Sequence, residues 1–226
     1  MNRGFLVLPA CGVVMFIIAL TANAAPMTVL TYRDQDPGSS SYVTRILITP
    51  RFVRLDGGKD DGDFVLLDRR SGELVNVLHD ARTTMRIRSK PLPEQARPTW
   101  KVDEQVEAVR RGTWRITLLA NGAICSQTVV AGKLRPEAAQ ALAEYKAALA
   151  WAQYKTYENT PKDIRQDCDL VEYVWDTGRV LKYGLPLEER DYAGRVRRLE
   201  KVGSETFEPE LFKLPTGYAV TYPNPK

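Results

Sequence analysis

The stretch TWRITLLANGAICSQTVVA, residues 113–131, followed by PEAAQALAEYKAALAWAQYKTY, residues 136–157, decides the fold. In the first part Trp114, Ile116 and Leu118 share one face, with Arg115 and Thr117 on the other, which is the period of a β-strand. Asn121-Gly122 is the residue pair that closes a two-residue hairpin, and Ala123 to Ala131 is the return strand, carrying Cys125. The period then changes. Pro136 suits a first helical position and Glu137 the first turn. Ala138, Leu142, Tyr145, Leu149 and Ala152 follow at alternating spacings of four and three, forming one apolar stripe away from Glu144 and Lys146.

Upstream, period two dominates from residue 27 onward. Tyr42, Thr44, Ile46 and Ile48 alternate with Val43, Arg45, Leu47 and Thr49 until Pro50; Arg51 to Asp56 follows and ends in a glycine-rich turn. Phe64 to Asp68 and Glu73 to His79 flank a short loop containing Gly72, and Thr83 to Arg88 alternates cleanly. Pro91, Pro93 and Pro98 mark a connection before a strand over Val102 to Val109. Downstream, Leu170 to Trp175 and Arg179 to Tyr183 read as a hairpin about Asp176-Thr177-Gly178. Leu187 to Tyr192 and Arg195 to Val202 read as another about Ala193-Gly194. The expected fold is mainly β (α+β): one antiparallel sheet of about ten or eleven strands with one long helix. No composition break marks a linker, so residues 25–226 are expected to form a single domain.

Residues 1–24 have the three parts of a secretory signal. Arg3 and the amine come first, an apolar stretch follows from Phe5 to Leu20, and Ala22-Asn23-Ala24 precedes the cleavage point. A membrane anchor and lipidation at Cys11 are the alternatives; Pro9 and the A-x-A ending favour cleavage after Ala24 and a periplasmic location. Cys125 and Cys168 then remain, and in an oxidising compartment they are expected to form a disulfide.

With 44% hydrophobic and 27% charged residues the chain has an ordinary globular profile, and a net charge of +4 is too small to indicate nucleic acid. The single histidine leaves little scope for a metal site. His79-Asp80 lies at a turn, with no G-x-S-x-G to place a nucleophile. The acidic loop from Asp56 to Asp63 fails the spacing of a calcium loop and reads as a solvated hairpin tip. No catalytic set, metal or cofactor is expected. Arg190, Arg195, Arg197, Arg198 and Lys201 read as solvent-facing strand positions, with an anionic membrane surface or acidic partner as the second reading. Trp151, Tyr154 and Tyr157 read as core packing against the sheet.

The ordered set ITPRFVRLDGG, FVLLDRRSGELVNVLHDARTTMRI and PELFKLPTGY resembles the exported domains of unknown function related to the LolA/LolB-like lipoprotein-carrier half-barrel. That resemblance implies a curved sheet with helix on its concave face and an apolar cavity between them. Trp114, Ile116 and Leu118 would line the sheet side of the cavity, opposed by Leu142, Tyr145 and Leu149. The expected function is therefore a non-enzymatic cell-envelope protein that binds a hydrophobic (lipid or acyl) ligand or an envelope protein partner. The alternative is a regulatory or sensor module contacting another envelope protein.

Overall fold

A computed structural model of the chain describes residues 26–223 together with Met1. The expected signal segment lies outside the described residues. Twelve strands form one sheet: β1 Pro26–Gln35, β2 Tyr42–Ile48, β3 Phe52–Asp56, β4 Phe64–Asp68, β5 Glu73–Leu78, β6 Thr83–Arg88, β7 Val102–Arg110, β8 Thr113–Ala120, β9 Ala123–Ala131, β10 Leu185–Asp191, β11 Val196–Thr206 and β12 Ala219–Thr221. Helix α1 spans Pro136–Asn159, and a short α2 spans Asp167–Leu170. The order across the sheet is β12-β6-β5-β4-β3-β2-β1-β11-β10-β9-β8-β7. Every pairing is antiparallel except β12 with β6, so the sheet is mixed.

The count is twelve rather than ten or eleven, and its make-up differs from expectation. β1 is central, pairing with β2 on one side and β11 on the other. Its four consecutive buried residues, Met27 to Leu30, carry no alternation because both faces of the strand are covered. Conversely, Leu170 to Trp175 and Arg179 to Tyr183 are not a hairpin. The first runs from the end of α2 into a π-helical turn, Val171–Trp175, and the second contains a 3₁₀ turn, Val180–Tyr183. The segment is rich in β-branched and aromatic residues, but Leu170, Val171 and Val174 are its buried positions, a helical spacing that tertiary packing enforces over propensity.

One face of the sheet holds the main core. Leu30, Tyr32, Ile46, Val53, Leu67 and Leu74 pack there with Ala138, Ala141, Leu142 and Ala148 of α1. The small residues of the helix let its backbone lie close to the strands. On the opposite face Met27, Val29, Leu47, Phe64, Leu66 and Val75 are covered by the C-terminal segment, which adds Phe207, Leu211, Phe212 and Tyr218. A buried arginine fastens this strap. Arg54, 2% exposed, donates to Asp56 Oδ2 at 2.8 Å, to Leu211 O at 2.5 Å and to Asp60 O at 2.9 Å. Arg45 completes the set through both Asp56 oxygens and Asp60. The acidic loop thus spends its first two carboxylates on arginines, and Asp56 is buried rather than at a solvated tip.

The last turns of α1 leave the sheet. Tyr154 packs with Leu170 and Val174, flanked by Trp151, Tyr157, Trp100 and Trp175. The expected aromatic series is core packing, but against helix and connection rather than strand. No helix among the described residues is long and apolar enough to cross a membrane.

Candidate functional site

Cys125 on β9 and Cys168 on α2 form a disulfide with Cα atoms 5.0 Å apart. Cys168 is helical rather than at the start of a strand, so the bridge pins α2 onto the sheet. From this anchor the chain continues into the π-turn, which closes with Asp176 N–H donating to Val171 O at 3.1 Å. A π-turn carries one residue more than an α-turn, which displaces the following side chains and is often tied to function.

Three buried polar side-chain atoms among the described residues have no hydrogen-bond partner: Glu172 Oε1, Trp175 Nε1 and Glu104 Oε2. Two belong to the π-turn. The third faces Arg179, whose Nη1 is 3.9 Å from Glu104 Oε2. Glu104 Oε1 is well supplied, accepting from Lys182 Nζ at 2.8 Å and Tyr183 Oη at 2.6 Å. Unpaired buried polar atoms cost on the order of 1–3 kcal/mol each, so their concentration at one turn demands a reason.

Two cavities flank the turn and share Asp176. One, of about 90 Å³, lies between the turn, α1 and the strands β9 to β11; Ser126, Lys146, Glu172, Tyr173, Glu189 and Arg197 are among its walls. Burial pushes the Glu172 carboxyl up to about 7, against weaker downward pulls from the Ser126 hydroxyl and Lys146; Asp191 and Glu189 add to the rise. Tyr173 is raised as well, by burial and then by Glu172. Most other charges of this cavity are mutually engaged. Arg197 grips Asp34 through two hydrogen bonds of 2.6 and 3.1 Å, and Lys146 lies 3.6 Å from Glu189. Arg195 lies 3.6 Å from Asp191. Arg197 is therefore a half-buried ion-pair residue rather than a solvent-facing one, and Asp34 and Glu189 hold its charge on against desolvation.

The second cavity, of about 140 Å³, opens between the turn and the proline-rich connection. Pro98, Trp100, Val102 and Val171 provide its apolar walls, and Trp175, Arg97, Asp176 and Arg179 its polar groups. Asp176 and Arg179 satisfy each other, with Nε and Nη2 at 3.1 and 2.8 Å from Oδ1.

The residues expected to line an apolar cavity fall into separate places. Leu118 packs with Ala120, Cys125, Cys168 and Val171 under the disulfide. Trp114 lies against Gly132, where a Cβ would come within 2.4 Å of the indole. Ile116 is fully buried on β8. Leu142, Tyr145 and Leu149 belong instead to the main core under α1. The two triplets do not face one another as one pair of walls. Where Leu142 and Tyr145 meet the sheet, the space left is about 40 Å³. The cavities on the π-turn were hidden in the sequence by the strand reading of residues 170–175. The signal that marks them is Glu172, a lone acid within an otherwise apolar run.

His79 directly follows β5, its Nδ1 2.8 Å from Tyr218 Oη. Its ring sits 5.9 Å from Phe64 and 5.7 Å from Tyr218, a packing role between sheet and strap.

No family model matches the chain, and no curated protein matches it. Among solved structures it is similar to PNGF-II in two crystal forms. These give TM-scores of 0.42 and 0.41 at 10% identity, covering 89% and 88% of this chain but 31% and 32% of that one. The chain thus spans about a third of the length of PNGF-II. It is also similar to a LolA superfamily protein from Nitrosomonas europaea, with a TM-score of 0.30 and 9% identity over 85% of this chain and 91% of that one. These are weak likenesses of fold, and no functional argument rests on them.

Proposed function

We propose that the protein is a non-enzymatic binding module of the cell envelope, exported and processed after Ala24, and that its working surface is the π-turn with its two cavities. The observation that carries this reading is the gathering of unpartnered buried polar atoms at that turn. A binding module accepts such a cost at a turn that shifts on binding, where an occupant then supplies the missing partners. The half-barrel of the resemblance enters here as architecture: a sheet bent about α1, serving as a platform.

Of the two occupants open from the sequence, a partner or ligand with polar groups fits this surface better than an acyl chain. The space beside Leu142 and Tyr145, about 40 Å³, is smaller than either cavity on the π-turn. The regulatory module is the second reading, favoured by the raised Glu172 carboxyl, which would let the surface respond to neutral pH. Native mass spectrometry of the mature protein taken directly from its own envelope tests the proposal. The expected result is a bound species that is lost on Glu172→Gln or Trp175→Phe, together with no uptake of a fluorescent fatty-acid probe. A lipid adduct indifferent to both substitutions would overturn it in favour of a carrier.

A further inference from the structure

We propose that the outer edge of β7 is a self-pairing surface. A second copy of the chain adds its own β7 there, antiparallel, with Val106 of each copy on the two-fold axis. This is a different surface from the π-turn cavities and stands apart from the reading of that turn.

The two edges of the sheet are unlike. Edge strands are ordinarily blunted, by shortness, by proline or by lysine, because their unpaired backbone is a template for another chain. β12 closes one edge with only three residues, Ala219–Thr221. β7 closes the other with nine, Val102–Arg110, and holds no proline or lysine. Every residue from Gln105 to Arg110 is exposed, and Val106 and Val109 are each 46% exposed.

The register shows which backbone groups face outward. Asn121 N–H donates to Lys101 O at 3.4 Å, so Lys101 and Asn121 form a hydrogen-bonded pair at the start of the β7–β8 ladder. Antiparallel pairs alternate between hydrogen-bonded and non-hydrogen-bonded positions. Asp103, Gln105 and Glu107, opposite Leu119, Thr117 and Arg115, therefore turn their N–H and C=O groups to β8. Glu104 and Val106, opposite Leu118 and Ile116, turn theirs away from it, and no strand among the described residues pairs with them. An irregularity between Ala108 and Arg110 ends the regular stretch.

Two copies join by matching outward groups to outward groups, and charge selects the register, since like charges directly opposite are destabilising. A two-fold axis at Asp103, Glu104 or Glu107 sets an acid against itself. An axis at Gln105 sets Asp103 against the partner's Glu107. Axes at Val102 or Ala108 leave the regular stretch on both copies. An axis at Val106 has none of these faults. Val106 then meets Val106 and both are covered, Glu104 faces the partner's Ala108, and Gln105 faces the partner's Glu107. The Gln105 amide is a donor for that carboxylate. Arg115, 3.6 Å from Glu107 within each copy, keeps the row close to neutral. The contact is isologous, as a closed dimer requires.

Sedimentation velocity of the disulfide-bonded protein over a concentration series tests the pairing, with a reversible monomer–dimer equilibrium expected. Val106→Pro removes the N–H that each copy donates across the axis and spares the bonds to β8, because that N–H points outward. The dimer should weaken at least about tenfold, with the unfolding midpoint little changed. Val106→Lys leaves the backbone intact and sets two cations on the axis; it should weaken the dimer as much, whether or not the proline variant folds. Gln105→Cys and Glu107→Cys proteins, mixed under a mild oxidant, should cross-link to each other, since these positions face across the axis with Cα atoms about 4.5 Å apart. Neither should link to itself, as diagonal neighbours about 7–8 Å apart lie beyond a disulfide's reach. A monomer at every concentration overturns the proposal and leaves the edge to an extended segment of another polypeptide. A dimer that both Val106 variants leave intact overturns it as well, because it uses another surface. Self-linking of either cysteine variant as readily as mixed linking refutes the axis at Val106.

Discussion

Substituting Glu172 by glutamine keeps the shape of the side chain and removes its titration. In the fold the carboxyl is moved from 4.5 to about 7, chiefly by burial, whereas in the unfolded chain it titrates as an ordinary glutamate. Between these two values the native state holds a proton that the unfolded state has released. The stability contributed at this position therefore falls as pH rises from about 4.5 to about 7 and is level above that. The displacement corresponds to about 3 kcal/mol. Glutamine titrates in neither state, so Glu172→Gln should match the wild type in pH dependence below about pH 4. It should gain steadily on it until, at pH 8, the gap has moved by about 3 kcal/mol in its favour. With a urea slope of about 2 kcal/mol/M, the midpoint should move by about 1.5 M. Urea unfolding of both proteins at intervals from pH 4 to pH 8, disulfide intact, measures this. The readout is the change in the gap with pH, since a constant offset can come from the new amide N–H alone. A gap that stays the same across the range refutes the placement of a desolvated carboxyl in the cavity.

Three further outcomes follow from the packing. The mature protein should show no free thiol when denatured without reductant. Cys168→Ser should cost about 4 kcal/mol in the chain-entropy picture of a loop of this span; two titrating thiols would refute the pairing. Arg54→Ala leaves Asp56 buried beside Arg45 alone and cuts the bond to Leu211, so a loss of about 3–5 kcal/mol is expected. Limited proteolysis should then cut first within residues 207–218. Leu149→Trp enlarges a half-buried residue at the edge of the main core and should destabilise by about 1–3 kcal/mol; full stability would reveal open space under α1.

The hairpins and the long helix are legible in the sequence because each has a local cause. Asn121-Gly122 sits at the β8–β9 turn, with Asn121 at φ 50° and Gly122 at φ 80°, and the stripe from Ala138 to Leu149 does face the core. The central strand β1 is harder to delimit, since burial on both faces erases its alternation. The segment 170–175 is misleading for the opposite reason. Its residues favour a strand, and it turns helical because the Cys168 bridge and the last turns of α1 hold it off the sheet. With it went the candidate site, whose distinctive atoms lie on that turn. The pairing of Cys125 with Cys168 was legible from count and compartment alone, but the element it ties down was not.

The register of β1 carries a consequence for how the chain acquires its fold. Pro26 pairs with Thr206 and Gln35 with Val196, so the middle strand of the sheet lacks one neighbour until nearly the whole polypeptide is available. Two half-sheets, β1 to β6 and β7 to β10, can each begin locally, yet they are joined only through β11. Such distant pairing is slow to form, because a long loop must close before its contacts are gained. A chain built this way can close its sheet only once the residues that pair with its first strand, up to Thr206, are available.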